Sequence, residues 1–171
     1  MPERWKPSVT VAAIIERDGL YLLVEEHTPE GLRLNNPAGH LDPGEAPAEA
    51  CARETLEETA HRFRPTSLVG IYRWVYRPAQ VKERRGSAPS STPDGGLEAG
   101  TTFFRFAFAG TLEGVEEGRA LDREIRALHW MTPDEIRARA ADHRSPLLQQ
   151  CVDDYVAGRR FPIDVLSAAY A

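Results

Sequence analysis

The chain has 171 residues, of which 42% are hydrophobic and 27% charged; this composition suits one folded domain and excludes both wholesale disorder and a small scaffold that depends on disulfides. Its 21 basic and 26 acidic residues leave a net charge of −5, so it lacks the cationic field that dominates binding to nucleic-acid polymers. Its apolar runs are far shorter than the roughly 20 residues of a membrane-spanning helix and no secretory signal is recognised at its start, so we expect a cytoplasmic protein without membrane contact.

The beginning of the chain is predicted to be β-structure. Two β-rich runs, 9–16 and 21–26, lie on either side of an Asp18-Gly19 turn, which is the pattern of a β-hairpin. A weaker extended segment follows at 32–38. We therefore expect strands to precede the first helix.

The first helix is predicted at 46–59, directly after a turn-rich loop at 39–44. Pro47 suits its first turn. At about 100° per residue, one face carries four charged side chains, those of Arg53, Glu54, Glu57 and Glu58. The face expected to pack on a sheet is small and apolar and consists of Ala48, Ala52, Thr55, Leu56 and Thr59.

The second half of the chain alternates extended and helical patterns. Further strands are predicted at 67–76, 101–110 and 125–131, with a short acidic connection at 111–119. The segment 78–100 contains three prolines and four glycines, which predicts an inserted, mobile loop. Thr132 and Glu135 form a capping-box pattern for a helix that ends at about residue 141, and a last helix is predicted from Pro146.

This order of elements predicts an α+β fold in which a mixed sheet lies between helices, an α/β/α-layered arrangement. The composition does not shift along the chain and no internal repeat is present. We therefore expect residues 1–171 to form one domain, with 78–100 as an insertion in it.

The charged face of the first helix is the strongest chemical signal. Glu54 and Glu58 are like charges four residues apart, with Glu57 beside them, an arrangement that destabilises an isolated helix by a few tenths of a kcal/mol, about 0.2–0.5. Three carboxylates within one turn are the hard oxygen ligands that Mg²⁺ or Mn²⁺ accepts, and such an ion also binds phosphate oxygens. On charge alone, a solvated acidic face is the commoner explanation of such a glutamate-rich helix.

The full spacing around this helix resembles the Nudix box, the signature of a family of hydrolases. Six positions match it at the correct intervals: Gly39, Glu45, Arg53, Glu54, Glu57 and Glu58. The chain departs from the pattern at Thr55 and His61, where apolar residues are usual, and at Ala60, where glycine is usual. The departures fall on the packing side of the helix and leave the acidic positions intact.

The resemblance implies a Nudix fold and hydrolysis by a water that the metal or a carboxylate activates. Mg²⁺ would be held by Glu54, Glu57 and Glu58, with the Gly39 carbonyl as a further ligand. Glu57 or Glu58 would orient the water. Arg53 and Glu45 would pair and fix the loop against the helix.

Four further residues are candidates for the site. Glu124, just before the last predicted strand, would add a metal ligand or base as in some Nudix enzymes, although an exposed loop carboxylate is the commoner fate of such a residue. His40 and Arg105 would meet phosphate, and Trp74 would stack on the substrate ring. A structural ion pair for Arg105 and a place in the core for Trp74 are the alternatives.

Within the family the chain resembles the NudJ phosphatase group in four stretches, at 36–41, 105–109, 144–147 and 158–162. This implies Mg²⁺-dependent hydrolysis of nucleoside tri- and diphosphates and of hydroxymethylpyrimidine diphosphate, by a monomer or a homodimer that binds small molecules. Two alternatives stay open: a pyrophosphohydrolase of nucleotide sugars, ADP-ribose or oxidised nucleotides, and a nucleotide-sensing module that binds without cleaving.

Overall fold

The computed structural model describes residues 5–77 and 99–167, which form two β-sheets and three α-helices. The strands are, in chain order, β1 (Ser8–Ile14), β2 (Glu16–Arg17), β3 (Leu20–Thr28), β4 (Gly31–Asn35), β5 (Ala38–His40), β6 (His61–Val75), β7 (Thr102–Val115), β8 (Ile125–Met131) and β9 (Phe161–Pro162). The helices are α1 (Pro47–Thr59), α2 (Pro133–Ala138) and α3 (Leu147–Val156). None of these helices is long and apolar enough to cross a membrane.

The larger sheet has the strand order β5-β1-β7-β6-β9 and is mixed, because β1 and β7 run parallel while its other pairs are antiparallel. The smaller sheet joins β2, β3 and β4, and β8 pairs with β3. One core cluster packs α1 against the larger sheet through Ala50 and Cys51. A second packs α3 against it through Leu148 and Val152. The predicted α+β fold with a mixed sheet between helices is confirmed.

The predicted hairpin at the start of the chain is only partly present. The Asp18-Gly19 turn joins β2 to the first residues of β3, with Glu16 paired to Tyr21. Strand β1, however, pairs with β5 and β7 in the other sheet. Its residues from Thr10 to Ile14 are all buried, as expected of a central strand covered on both faces. Hairpin pairing along 9–16 was therefore wrong.

The strands on either side of the insertion are longer than predicted. β6 begins at His61 and not at 67, and β7 continues to Val115 through most of the segment predicted as an acidic connection. Exposed and half-buried residues alternate at 111–115, and Arg64 of β6 donates to Glu113 of β7 across the pair. Since only alternate residues of this extension turn away from water, its sequence lacks the continuous apolar run by which buried strands are recognised.

The remaining elements agree more closely with the sequence. Thr132 and Glu135 form the predicted capping box of α2, although that helix is shorter than expected and a 3₁₀ turn follows at 140–142. On α1 the buried residues are Ala50, Cys51, Thr55, Glu58 and Thr59. The face that packs on the sheet is therefore rotated from the predicted one and includes Glu58. The expected insertion at 78–100 lies outside the described residues except for its last two.

Candidate active site

The loop before α1 and the helix itself are joined through Arg53. Its Nε and Nη2 donate to the two carboxylate oxygens of Glu45 at 2.8 and 2.9 Å, and Nη2 also donates to the His40 carbonyl at 3.1 Å. Its Nη1 donates to Glu54 at 2.8 Å and to Glu57 at 3.0 Å. The hydrogen bonds from Arg53 lower the pKa of the Glu45 carboxyl. One guanidinium thus fixes the loop and orients two carboxylates.

Three carboxylates come together at the exposed end of this arrangement. Glu54, Glu57 and Asp122 each place an oxygen within 4.8 Å of the others, and we call this set the acidic triad. The Asp122 amide donates to the Glu57 carbonyl at 3.1 Å, which brings a connection distant in sequence to the helix. Burial raises the pKa of Glu54 and of Asp122. A set of oxygen donors at this separation fits a hard divalent cation.

Gly39 lies directly against the acidic triad. A β-carbon added to it would lie 2.0 Å from the carboxylate carbon of Glu54, far inside van der Waals contact. A side chain at this position would displace the Glu54 carboxylate from its place beside Arg53, so glycine allows the acidic triad to keep its observed arrangement.

Glu58 faces a different direction from the acidic triad. Its carboxylate accepts a hydrogen bond from the Ala38 amide at 2.8 Å and the residue is buried. Burial raises its pKa well above the ordinary value, and the nearby Glu26 and Glu54 add to the shift. Of the four predicted metal-binding glutamates, the structure brings Glu54 and Glu57 together and leaves Glu58 beneath the β5 backbone.

The sequence predicts Glu124 as a further metal ligand or base, but the third member of the acidic triad is Asp122, two residues earlier. Glu124 is exposed, and its carbonyl accepts from the His27 amide at 2.8 Å. Asp122 was missed by the sequence reasoning. The only available signal was a second acidic residue in the same connection, and the choice between the two depends on a backbone contact with α1 that spacing does not reveal.

The three predicted substrate residues, His40, Trp74 and Arg105, line one cleft between the two sheets. Gly39 lines it as well, so the cleft adjoins the acidic triad. On its floor, Thr10 of β1 is in register with His40 on one side and with Arg105 on the other. Trp74 stacks on its cross-strand partner Phe103, with ring centroids 5.4 Å apart and planes at 29°. The floor therefore combines a row of polar residues, which we call the polar row (His40, Thr10 and Arg105), with an aromatic surface.

The opposite wall of the cleft comes from the smaller sheet and the segment before α3. Glu26 of β3 accepts from Arg144 at 2.9 Å, and Asn35 of β4 accepts from Arg105 at 3.3 Å. Arg144 itself is placed by its amide, which donates to the Leu34 carbonyl at 2.9 Å. Sequence reasoning missed this wall, since its residues are far apart along the chain. They are Glu26, Asn35, Arg144 and Ser145.

Two basic groups of the cleft have lowered pKa values, because they are partly removed from water and lie near other cations. Burial lowers the pKa of Arg105, which is 7% exposed. His40 is exposed on one side, but partial desolvation of its ring in the cleft lowers its pKa, and the nearby Arg144 and Arg105 lower it further. A neutral His40 beside a buried guanidinium can hydrogen-bond a polar ligand without adding a second charge.

Comparisons with known proteins agree with this geometry. The family model for the NUDIX domain matches residues 5–151. A solved NUDIX hydrolase from Nitrosomonas europaea superposes with a TM-score of 0.80 and is 46% identical, over 96% of this chain and 98% of that one. The curated proteins named phosphatase NudJ from Shigella boydii and from Escherichia coli K12 are each 33% identical over 162 residues, which is 95% of this chain and 92% of theirs.

Proposed function

This chain belongs to the Nudix hydrolase family, and from that membership we propose that it hydrolyses phosphate anhydride bonds of nucleoside tri- and diphosphates or of related small organic diphosphates, such as hydroxymethylpyrimidine diphosphate, with Mg²⁺ as cofactor. As a family member it is an enzyme that acts on nucleoside diphosphate-linked substrates. The observation that carries the proposal is the position of the acidic triad beside Gly39, at the rim of a cleft that offers an aromatic surface. The relatives named phosphatase NudJ favour a phosphatase over a pyrophosphohydrolase.

The acidic triad supplies the ligands that a divalent ion needs. Glu54, Glu57 and Asp122 would hold Mg²⁺, with the Gly39 carbonyl as a further ligand. When bound, the ion supplies a Lewis acid for the phosphate oxygens and lowers the pKa of water. The assignments of Glu58 and Glu124 to the same ion, and of Mn²⁺ as a substitute, stay predictions.

The chain's own residues position the substrate and the carboxylates. Arg53 keeps Glu54 and Glu57 from separating and ties them to Glu45 and the β5 carbonyl of His40, which is the positioning role assigned to Arg53 and Glu45. We assign to Glu57 the orientation of the attacking water, because its carboxylate is the more exposed of the two on α1.

The two cysteine thiols do not offer an alternative nucleophile to water. Both cysteines are buried. Burial raises the pKa of Cys151 to about 12 and that of Cys51 still further, so neither supplies a thiolate near neutral pH. Neither thiol therefore competes with water as a nucleophile at this site.

The test is release of phosphate and of pyrophosphate from nucleoside di- and triphosphates, hydroxymethylpyrimidine diphosphate and ADP-ribose, with Mg²⁺ or with a chelator. We expect turnover that requires Mg²⁺, and a fall of about 10²–10³-fold in Glu57→Gln. Asp122→Asn should lose metal affinity more strongly than Glu124→Gln. Glu117→Gln is the matched control, because Glu117 is exposed and outside the acidic triad.

Two results would overturn the proposal. Turnover that is unchanged by the chelator or by Glu57→Gln would exclude the acidic triad as the catalytic centre. Saturable nucleotide binding without turnover of any compound would favour the sensing module instead.

A further inference from the structure

Four buried side-chain atoms in the cleft have no hydrogen-bond partner within residues 5–77 and 99–167. They belong to residues that are between 6% and 9% exposed. They are Thr10 Oγ1, Glu26 Oε1, Arg105 Nε and Ser145 Oγ. Buried polar atoms are nearly always hydrogen-bonded in folded proteins. The described part of the chain has seven such atoms, and this one cleft collects four of them, so a ligand of the cleft is the natural partner.

Arg105 and Glu26 form the charged part of this set, and each uses only some of its hydrogen-bonding capacity. Arg105 reaches from the larger sheet to the neutral Asn35 oxygen at 3.3 Å, while its Nε stays free. Glu26 accepts from Arg144 through Oε2 at 2.9 Å, while its Oε1 stays free. The two charges influence each other's pKa but do not form an ion pair. A buried donor and a buried acceptor are thus left open in one space.

The chemistry of this pair argues for a neutral, planar ligand group. A second phosphate would be attracted by Arg105 but repelled by the Glu26 carboxylate. A flat ring is also favoured by the neighbouring surface, because Trp74 and Phe103 stack next to the polar row of the floor. An aliphatic chain or a saturated sugar would leave Arg105 and Glu26 without complementary partners held in one plane.

We propose that Arg105 and Glu26 are the specificity-determining residues, and that they select a nitrogen heterocycle whose edge carries an N–H donor beside an acceptor. Arg105 Nε donates to the ring acceptor, Glu26 Oε1 accepts from the N–H group, and Trp74 and Phe103 cover the face of the ring. This inference rests on the proposed function, since it assigns the part of the substrate that does not carry the cleaved bond. Both residues lie outside the Nudix box, Glu26 before it and Arg105 after it.

The first experiment measures binding of matched nucleoside 5′-monophosphates without metal, by calorimetry. AMP is compared with purine riboside monophosphate, and CMP with pyrimidin-2-one riboside monophosphate, because each pair differs only in the exocyclic amino group. We expect the amino-bearing member of the tighter-binding pair to bind about 10- to 100-fold more tightly, as for a buried hydrogen bond to a charged group. Equal affinities within both pairs, or no binding of any of the four, would overturn the proposal.

The second experiment repeats the comparison in variants. Glu26→Met and Arg105→Met should reduce the discrimination to about twofold or less. Arg73→Met is the matched control, since Arg73 is exposed on the neighbouring strand β6, and it should keep the wild-type discrimination. Thermal unfolding is measured for all variants. If the methionine variants do not fold, Glu26→Gln and Arg105→Lys replace them in the comparison. Wild-type discrimination in folded variants of both residues would exclude their proposed role.

The two proposals fail independently of each other. Discrimination that depends on Arg105 and Glu26, in a protein that cleaves no compound of the panel, would leave this inference standing and remove the hydrolase proposal. Mg²⁺-dependent turnover with discrimination unchanged in the variants would do the reverse.

Discussion

The acidic triad and the cleft lie side by side but satisfy their charges in opposite ways. Around α1, Arg53 bonds to Glu45, Glu54 and Glu57, so these carboxylates have a protein partner before any ligand arrives. In the cleft, Arg105 and Glu26 keep free atoms although both are more than nine-tenths buried. The first region is organised by the protein itself, whereas the second leaves its hydrogen bonds for a ligand to complete.

The difference in exposure decides what each region does. The Arg53 side chain is 29% exposed and that of Glu57 is 33% exposed, so water and ions reach this charged cluster. In the cleft, Arg105 and Glu26 are shielded from water, and an unmatched hydrogen bond of a buried charged group is heavily penalised. We therefore expect substitutions around α1 to change the rate for every substrate, and substitutions in the cleft to change which substrate is preferred.

The largest expected effect comes from removing one carboxylate charge in each region. Glu54→Gln should lower kcat by about 10²–10³-fold for all substrates alike, because it removes a ligand of the proposed ion. Glu26→Gln should act mainly on KM and alter the order of substrate preference. Steady-state kinetics on the same substrate panel measures both. A uniform loss of kcat in Glu26→Gln would contradict the division between the two regions.

The next effect concerns Arg53 and Arg105, whose removal should change the free energy of unfolding in different directions. Arg53→Met should lower the free energy of unfolding by about 1–2 kcal/mol, because it leaves three carboxylates without their shared cation. Arg105→Met should leave stability unchanged or raise it by about 1 kcal/mol, since it replaces an incompletely bonded buried charge by an apolar side chain. Urea unfolding of both variants without ligand gives the comparison. Equal destabilisation would show that Arg105 is a structural ion-pair residue.

A smaller effect concerns Glu58, which lies between the two regions. Its folded pKa is raised from 4.5 by burial, with Glu26, Glu54 and Asp122 as neighbouring acids. Its contribution to stability is therefore fully present below pH 4.5 and is lost as the pH rises through the raised pKa. Glu58→Gln should remove this loss and stabilise the metal-free protein by about 1 kcal/mol near pH 7. Thermal unfolding of both proteins across this pH range, without metal, is the measurement.

The smallest effect is expected at the end of α1, away from both regions. Ala60 has φ of 57° in the left-handed conformation and its amide donates to the Leu56 carbonyl at 2.9 Å. Ala60→Gly should stabilise the protein by about 0.5–1 kcal/mol, because glycine adopts this conformation without strain. Thermal unfolding should show Tm higher by about 1–4 °C, with kcat unchanged. A lower Tm would mean that the greater freedom of glycine in the unfolded chain outweighs the relief of strain.

The two regions also differ in how far they can be predicted from the sequence. Most of the α1 side is local: Gly39, Glu45 and the acidic residues of the helix lie within 20 residues, so their resemblance to the Nudix box identifies them. Asp122, the member of the acidic triad outside this stretch, was missed. The cleft is assembled from strands of both sheets and from the segment before α3. Arg105 and Trp74 were found because they occur in regular strand patterns, whereas Glu26 and Arg144 are 118 residues apart in sequence and meet only in the folded chain.

Errors in the fold have the same origin. The pairing of β1 could not be predicted, because its partners β5 and β7 are selected by burial on both faces and not by the nearest turn. The parts of β6 and β7 that were not predicted, 61–66 and 111–115, lack a continuous run of apolar residues. Cytoplasmic localisation, a monomer or homodimer, and a mobile insertion at 78–100 stay predictions.

The position of β1 has a consequence for the size of molecule that fits. Thr10 is paired on one side with His40, which follows Gly39, and on the other with Arg105. Neighbouring strands lie about 4.8 Å apart, so backbone hydrogen bonds hold the two flanking strands at a fixed separation of roughly 10 Å. For the proposed substrate, this separation sets the distance between the ring held by Arg105 and the phosphorus atom held beside Gly39. We therefore expect compounds with the right ring but a connector of another length to bind in the cleft and remain uncut.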